Sequence, residues 1–132
     1  MSVYSYDGPE IGLTASITLD GIEQAGLRRF PVGWQRNFGF ELFLVQTGQH
    51  PPSAKPLKGL GAGTVELIED FEGDMYRAVY TVRFHEAVYV LHAFKKKSKR
   101  GSETPKRDIE LIRRRLRGAE ADHAKRSREG KS

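Results

Sequence analysis

Residues 75–97, MYRAVYTVRFHEAVYVLHAFKKK, constrain the fold more than any other stretch, because they read as two adjacent strands running into a lysine cluster. In the first arm Tyr76, Ala78, Tyr80 and Val82 share one parity, and Arg77, Val79, Thr81 and Arg83 share the other. That period of two is a strand signature. The second arm, residues 87–94, is more continuously apolar, as a central strand covered on both faces would be. A two-residue turn at His85 and Glu86 predicts that Arg77 faces Phe94, Val79 faces His92 and Met75 faces Lys96. Arg77, His92 and Lys96 then share one face. His-Glu lacks the positive-φ preference of tight hairpin turns, so a longer loop is the competing reading, and a slip of one residue would dissolve the pairing.

At 132 residues the chain suffices for one core and is short for two domains. No apolar run approaches the roughly 18 residues of a membrane span, and MSVYSYDGPE lacks the basic-then-apolar order of a secretory signal. A cytoplasmic protein is the expectation. The absence of cysteine excludes disulfides and thiolate metal sites. Charge is unevenly placed: residues 1–74 hold 5 Lys/Arg and 10 Asp/Glu, about −5 net, whereas residues 75–132 hold 17 and 7, about +10. A basic half of this kind suits a protein that meets phosphate, nucleic acid above all; the competing reading is a solvated face with a basic tail.

Residues 1–18 show no clear period and read as an extended lead-in. Over residues 19–30, Asp20 caps a predicted short helix bearing Ile22, Ala25 and Arg29, against which Gly21 and Gly26 count. After Pro31, Trp34, Phe38, Leu42 and Val45 recur at helical spacing and predict a core-facing second helix stopped by Gly48. A strand is expected over residues 64–71, and Glu72, Gly73 and Asp74 supply turn chemistry into the hairpin, making an antiparallel meander. Thr104 followed by Pro105 is a helix start. The helix carries Ile109, Ile112 and Leu116 on one side and Arg113, Arg114, Arg115 and Arg117 elsewhere. Gly118 and the lack of large aliphatic residues beyond it predict a basic tail over 118–132, either a frayed extension of the helix or a disordered segment. The fold class is therefore α+β: two N-terminal helices, a three- or four-stranded antiparallel sheet and a C-terminal helix.

The series LKGL with its following glycines, YRAVY, VYVLHAFKKK and TPKRDIELIRRRL resembles RelE/HigB-type toxins of bacterial toxin–antitoxin modules, particularly their phage-derived branch, over roughly residues 19–116. The resemblance implies a toxin domain over 19–117 with a RelE-like fold, in which helices cover one face of the sheet and the free face binds messenger RNA. It further implies metal-independent endoribonuclease activity on mRNA, commonly on the ribosome, and a cognate antitoxin of helix-turn-helix type. Some relatives end in a His-Tyr pair that carries much of the chemistry. Here the chain continues instead through lysines into a helix.

Cleaving RNA without a metal requires a base for the ribose 2′-hydroxyl, cations around the phosphorane-like transition state and an acid for the leaving 5′-oxygen. Arg77 is the candidate cation, since guanidinium grips phosphate and stays charged; otherwise it is an exposed strand arginine. Lys96 and Lys97 sit where the family places basic residues, and either neutralises phosphate, protonates the leaving group or simply attracts RNA. Glu66 is a candidate base or a salt-bridge partner. His92 has a near-neutral reference pKa and is aimed toward Arg77, or else is a core histidine. Lys58, Arg83, Lys95, Lys99 and Arg100 are candidate RNA contacts. No cofactor or metal is implied: the glycines match no phosphate loop, and the four histidines lack paired spacing. The alternative function is a non-catalytic RNA- or ribosome-binding module of the same fold.

Overall fold

Pro31 and Gly48 bracket the first α-helix, α1, Val32–Gln46. Its end is a Schellman motif in which the Gly48 amide donates to the Val45 carbonyl at 3.0 Å and the Gln49 amide to that of Leu44 at 2.9 Å. Gly48, at φ 86°, takes the left-handed position such a cap requires. Trp34, Phe38, Leu42 and Val45 are all buried, so the predicted stripe is core. The computed structural model describes residues 16–17, 26–84, 87–96 and 104–129. The predicted first helix lies mostly outside that set; its described end is only a 3-10 turn, Leu27–Arg29, because Gly26 at φ 77° cannot continue a right-handed helix. One α-helix, rather than two, thus precedes the main sheet among the described residues.

Strands β1 (Ser16–Ile17), β2 (Ala54–Pro56), β3 (Thr64–Phe71), β4 (Asp74–Phe84) and β5 (Ala87–Lys96) form one sheet in the order β1-β5-β4-β3-β2. The run β3 to β5 is the expected antiparallel meander; the three-residue β2 extends it by a fourth antiparallel strand, and the two-residue β1 adds a parallel edge inside the predicted lead-in. Glu72 at φ 51° and Gly73 at φ 87° make the β3–β4 turn, with positive φ at both central positions as a primed hairpin turn demands.

The predicted hairpin register holds: Arg77 faces Phe94, Val79 faces His92 and Met75 faces Lys96. It holds through two compensating irregularities. Between Val79 and Tyr80 the partner strand advances by an extra residue, Leu91; between Thr81 and Phe84 it is β4 that carries the extra residue. Phe84 again faces Ala87 across residues 85–86, which are outside the described set.

Helices cover both sheet faces. On one, Leu27 of the 3-10 turn and Trp34, Phe38 and Leu42 of α1 pack over Val65, Leu67, Tyr76, Ala78, Tyr80, Val88 and Val90. On the other lies α2 (Lys106–Glu129), whose Ile112, Leu116 and Ala119 meet Leu60, Val79, Tyr89 and Leu91. Burying Ile112 and Leu116 stabilises by about 1.5–3 kcal/mol each. The predicted tail, frayed or disordered, is instead helix as far as Glu129. Ala119 is buried, Tyr89 donates its hydroxyl to Asp122 Oδ2 at 2.8 Å, and His123 stacks on Phe84 at 4.6 Å. Small and polar side chains anchor this turn, which aliphatic spacing could not signal.

Candidate functional site

The face under α2 gathers the titratable groups. Antiparallel pairing sets Glu66, Val79 and His92 in one cross-strand row, and Ile68, Arg77 and Phe94 in the next. Leu91, the extra residue of β5, joins the apolar cluster beneath α2, as expected where a bulge turns two successive side chains to one side.

Arg77 is 1% exposed, and its Nη1 donates to both carboxylate oxygens of Glu66 at 3.2 Å. Thr104, just ahead of α2, donates its hydroxyl to Glu66 Oε2 at 2.7 Å and lies 3.4 Å from Arg77 Nη1. The pair is therefore closed over by the start of the helix.

Beside it, His92 Nε2 lies 2.8 Å from Asp108 Oδ1, and its Nδ1 lies 3.4 Å from Arg115 Nη1. Arg115 also donates to the Leu91 carbonyl at 2.9 Å. Since Arg115 can only donate and Asp108 can only accept, this environment assigns the neutral tautomer with the proton on Nε2. Burial pushes the His92 pKa below its ordinary value; Asp108 opposes that and Arg115 adds to it. Burial likewise lowers Arg115, with a smaller contribution from Arg114. The ring of Phe94 stacks on His92 at 5.1 Å. Arranged this way, the cluster holds a neutral imidazole, a guanidinium and a carboxylate on one face, the set that proton transfer beside a phosphate uses.

Of the predicted residues, Glu66 and Arg77 come into contact, and His92 shares their sheet face. The face expected to be free is covered, however, and Arg77 is no exposed strand arginine. Lys95 departs from the group: it faces Tyr76, pairs with Asp74 at 3.0 Å, and lines a cleft of about 670 Å³ with Arg29, Phe30, Pro31 and Val32 on the α1 side. Arg83 is exposed but engaged by Glu120 of α2 at 2.7 Å. Lys58 is exposed in the turn between β2 and β3. Lys96 faces Met75 in the register, while Lys97, Lys99 and Arg100 lie outside the described residues.

Thr104 and Arg115 entered the sequence reading only as a helix start and part of a basic face, and Asp108 not at all; none was expected at the site. Asp108 and Arg115 stand four before and three after Ile112, so both flank the apolar stripe that seats α2. A charged residue at such spacing is the available signal. Among the described residues no three His, Asp or Glu side chains gather as a metal site, and no helix is long and apolar enough to cross a membrane.

Fold and site together define an α+β domain in which a cluster of charged and titratable side chains is clasped between an antiparallel sheet and a basic C-terminal helix. The chain belongs to the family described as Phage derived protein Gp49-like (DUF891), whose profile matches residues 25–117. This is a toxin-type family, which supports a phage-derived toxin. No curated protein and no solved structure gives a significant match.

Proposed function

We propose that the protein is the toxin of a toxin–antitoxin module, of RelE/HigB type, that cleaves mRNA on the ribosome in the cytoplasm and is restrained by a cognate, helix-turn-helix antitoxin. The observation that carries this reading is the Glu66–Arg77 pair, 1–5% exposed, set beside a neutral His92 on one sheet face. A buried ion pair contributes little net stability against an apolar replacement, so its presence in so small a core argues for chemistry.

In the proposed reaction His92, neutral at pH 7, takes the proton of a ribose 2′-hydroxyl on Nδ1, its unprotonated nitrogen, the hydroxyl displacing the 3.4 Å contact from Arg115 Nη1. The freed oxygen attacks the adjacent phosphorus, and Arg77 holds the charge that grows on the phosphoryl oxygens. The bond to the 5′-oxygen breaks, and Lys96 or Lys97 returns a proton to it. The products are a 2′,3′-cyclic phosphate and a 5′-hydroxyl end. Glu66, with both oxygens engaged by Arg77 and one also by Thr104, orients the guanidinium rather than acting as base. Lys58, Lys99 and Arg100 contribute attraction to RNA, and the chemistry needs no metal.

A second reading rests on Arg77 being enclosed: a chain that binds RNA or ribosomes through its basic surface without cutting. The two separate in a translating extract supplemented with the full chain, with mRNA 5′ ends mapped. Codon-phased cuts that disappear in Arg77→Ala and His92→Ala support the nuclease. Intact mRNA together with co-sedimentation on ribosomes refutes it in favour of the binding module.

A further inference from the structure

We propose that residues 104–111 form a polar latch over the Arg77–Glu66 pair, opening about the apolar anchor formed by the rest of α2, so that the described arrangement is a resting state. The catalytic consequence rests on the function proposed above; the latch itself does not.

The two ends of α2 are held by different forces. Over 104–111 the attachments to the sheet are mainly polar, namely Thr104 to Glu66 at 2.7 Å, Arg77 to Thr104 at 3.4 Å and His92 to Asp108 at 2.8 Å, with Ile109 alone packing at the margin of the apolar cluster. Ile109 is only half-buried, and Pro105, Lys106, Arg107 and Glu110 are exposed. From Ile112 onward the attachment is apolar: Ile112 is 0%, and Leu116 and Ala119 are each 5% exposed. Hydrogen-bonded groups regain water when they part, so separating them costs only the small net difference, whereas lifting the anchor exposes apolar area with nothing in exchange. Local opening therefore begins at the latch. It uncovers Arg77, Glu66 and one edge of His92, while Arg115, inside the anchor, keeps its bond to the Leu91 carbonyl.

Labelling of the full-length chain with phenylglyoxal, an arginine reagent, reads this opening directly at Arg77, with exposed Arg28 as the internal reference. Thr104→Val and Asp108→Leu each raise the Arg77 labelling rate by about tenfold or less, the ratio that roughly 1 kcal/mol of lost hydrogen bonding yields. Glu120→Gln, on the anchor side, leaves that rate unchanged. Trp34 fluorescence confirms folding, and Thr104→Val alone suffices should the Asp108 variant unfold. Equal Arg77 labelling in the wild type and both latch variants overturns the latch. Faster labelling with faster mRNA cleavage supports both the latch and the nuclease. Faster labelling with mRNA left intact supports the latch and overturns the nuclease.

Discussion

The two faces of the sheet are built on different terms. The α1 face is a continuous aromatic and aliphatic layer in which Trp34 stacks on Phe38 at 5.1 Å and meets Tyr76 at 5.6 Å. It even buries the Trp34 Nε1 and the Tyr80 hydroxyl without a hydrogen-bond partner among the described residues, and burial raises the Tyr80 pKa to about 12. The α2 face combines a smaller apolar cluster with two hydrogen-bonded groups, Glu66, Arg77 and Thr104 in one and His92, Asp108 and Arg115 in the other. One face supplies stability through area and tolerates polar orphans. The other ties its polar groups together, an arrangement whose value lies in orientation. Mutations on the two faces should therefore fail in different ways.

The largest effects test that contrast. Phe38→Ala on the α1 face costs about 3–5 kcal/mol, as truncating a fully buried aromatic does. Glu66→Ala costs a similar amount, about 3–5 kcal/mol, because it strands the Arg77 guanidinium in the interior. The faces diverge on rescue. Glu66→Leu combined with Arg77→Met recovers most of the loss, since apolar replacement of a buried pair is often neutral or better. No polar exchange around Phe38 does the same. Urea unfolding followed by Trp34 fluorescence measures all three variants. A double variant as unstable as Glu66→Ala would mean that the pair is structural, which removes the main support for a catalytic role.

What the chain announced in advance follows the same division. The α1 stripe, the β3–β4 turn and the hairpin register were legible because spacing and parity are local. The register survived a non-ideal His-Glu turn because two irregularities cancel, which no local rule could foresee. The course of residues 118–129 was misread because Asp122, His123 and Ala119 are held by Tyr89, Phe84 and the apolar cluster, contacts that aliphatic periodicity does not encode. At the site, parity put Arg77 and His92 on one face. It could not reveal that Thr104 and Asp108 close over them, because both partners come from an element distant in sequence.

A smaller effect concerns pH. The native pKa of His92 lies below its ordinary value of 6.5, chiefly through burial. The unfolded chain therefore binds a proton more readily than the native one does, and stability rises with pH across this window. The contribution of His92 is complete above pH 6.5 and is lost as pH falls through the lowered native value. Unfolding midpoints in urea measured across that range should slope upward with pH in the wild type and flatten in His92→Gln. The slope is modest because Asp108 works against burial. An unchanged slope in His92→Gln would assign the effect to another group.

The smallest effect sits at the rim of the α2 face. Arg83 Nη1 and Glu120 Oε1 meet at 2.7 Å, yet their side chains are 43% and 45% exposed. Water and salt screen such a pair, and holding two long side chains in one geometry costs rotamer freedom, so its coupling should lie at about 0.2–1 kcal/mol. A double-mutant cycle with Arg83→Ala and Glu120→Ala isolates that coupling, and adding 1 M salt should erase most of it. Because Arg83 is also a candidate RNA contact, the same variants separate two roles. Glu120→Ala frees the guanidinium and should strengthen binding of single-stranded RNA at low salt, whereas Arg83→Ala weakens it. If both substitutions leave RNA affinity unchanged, Arg83 serves only to position α2, and the polar rim of this face belongs to the fold rather than to the RNA surface.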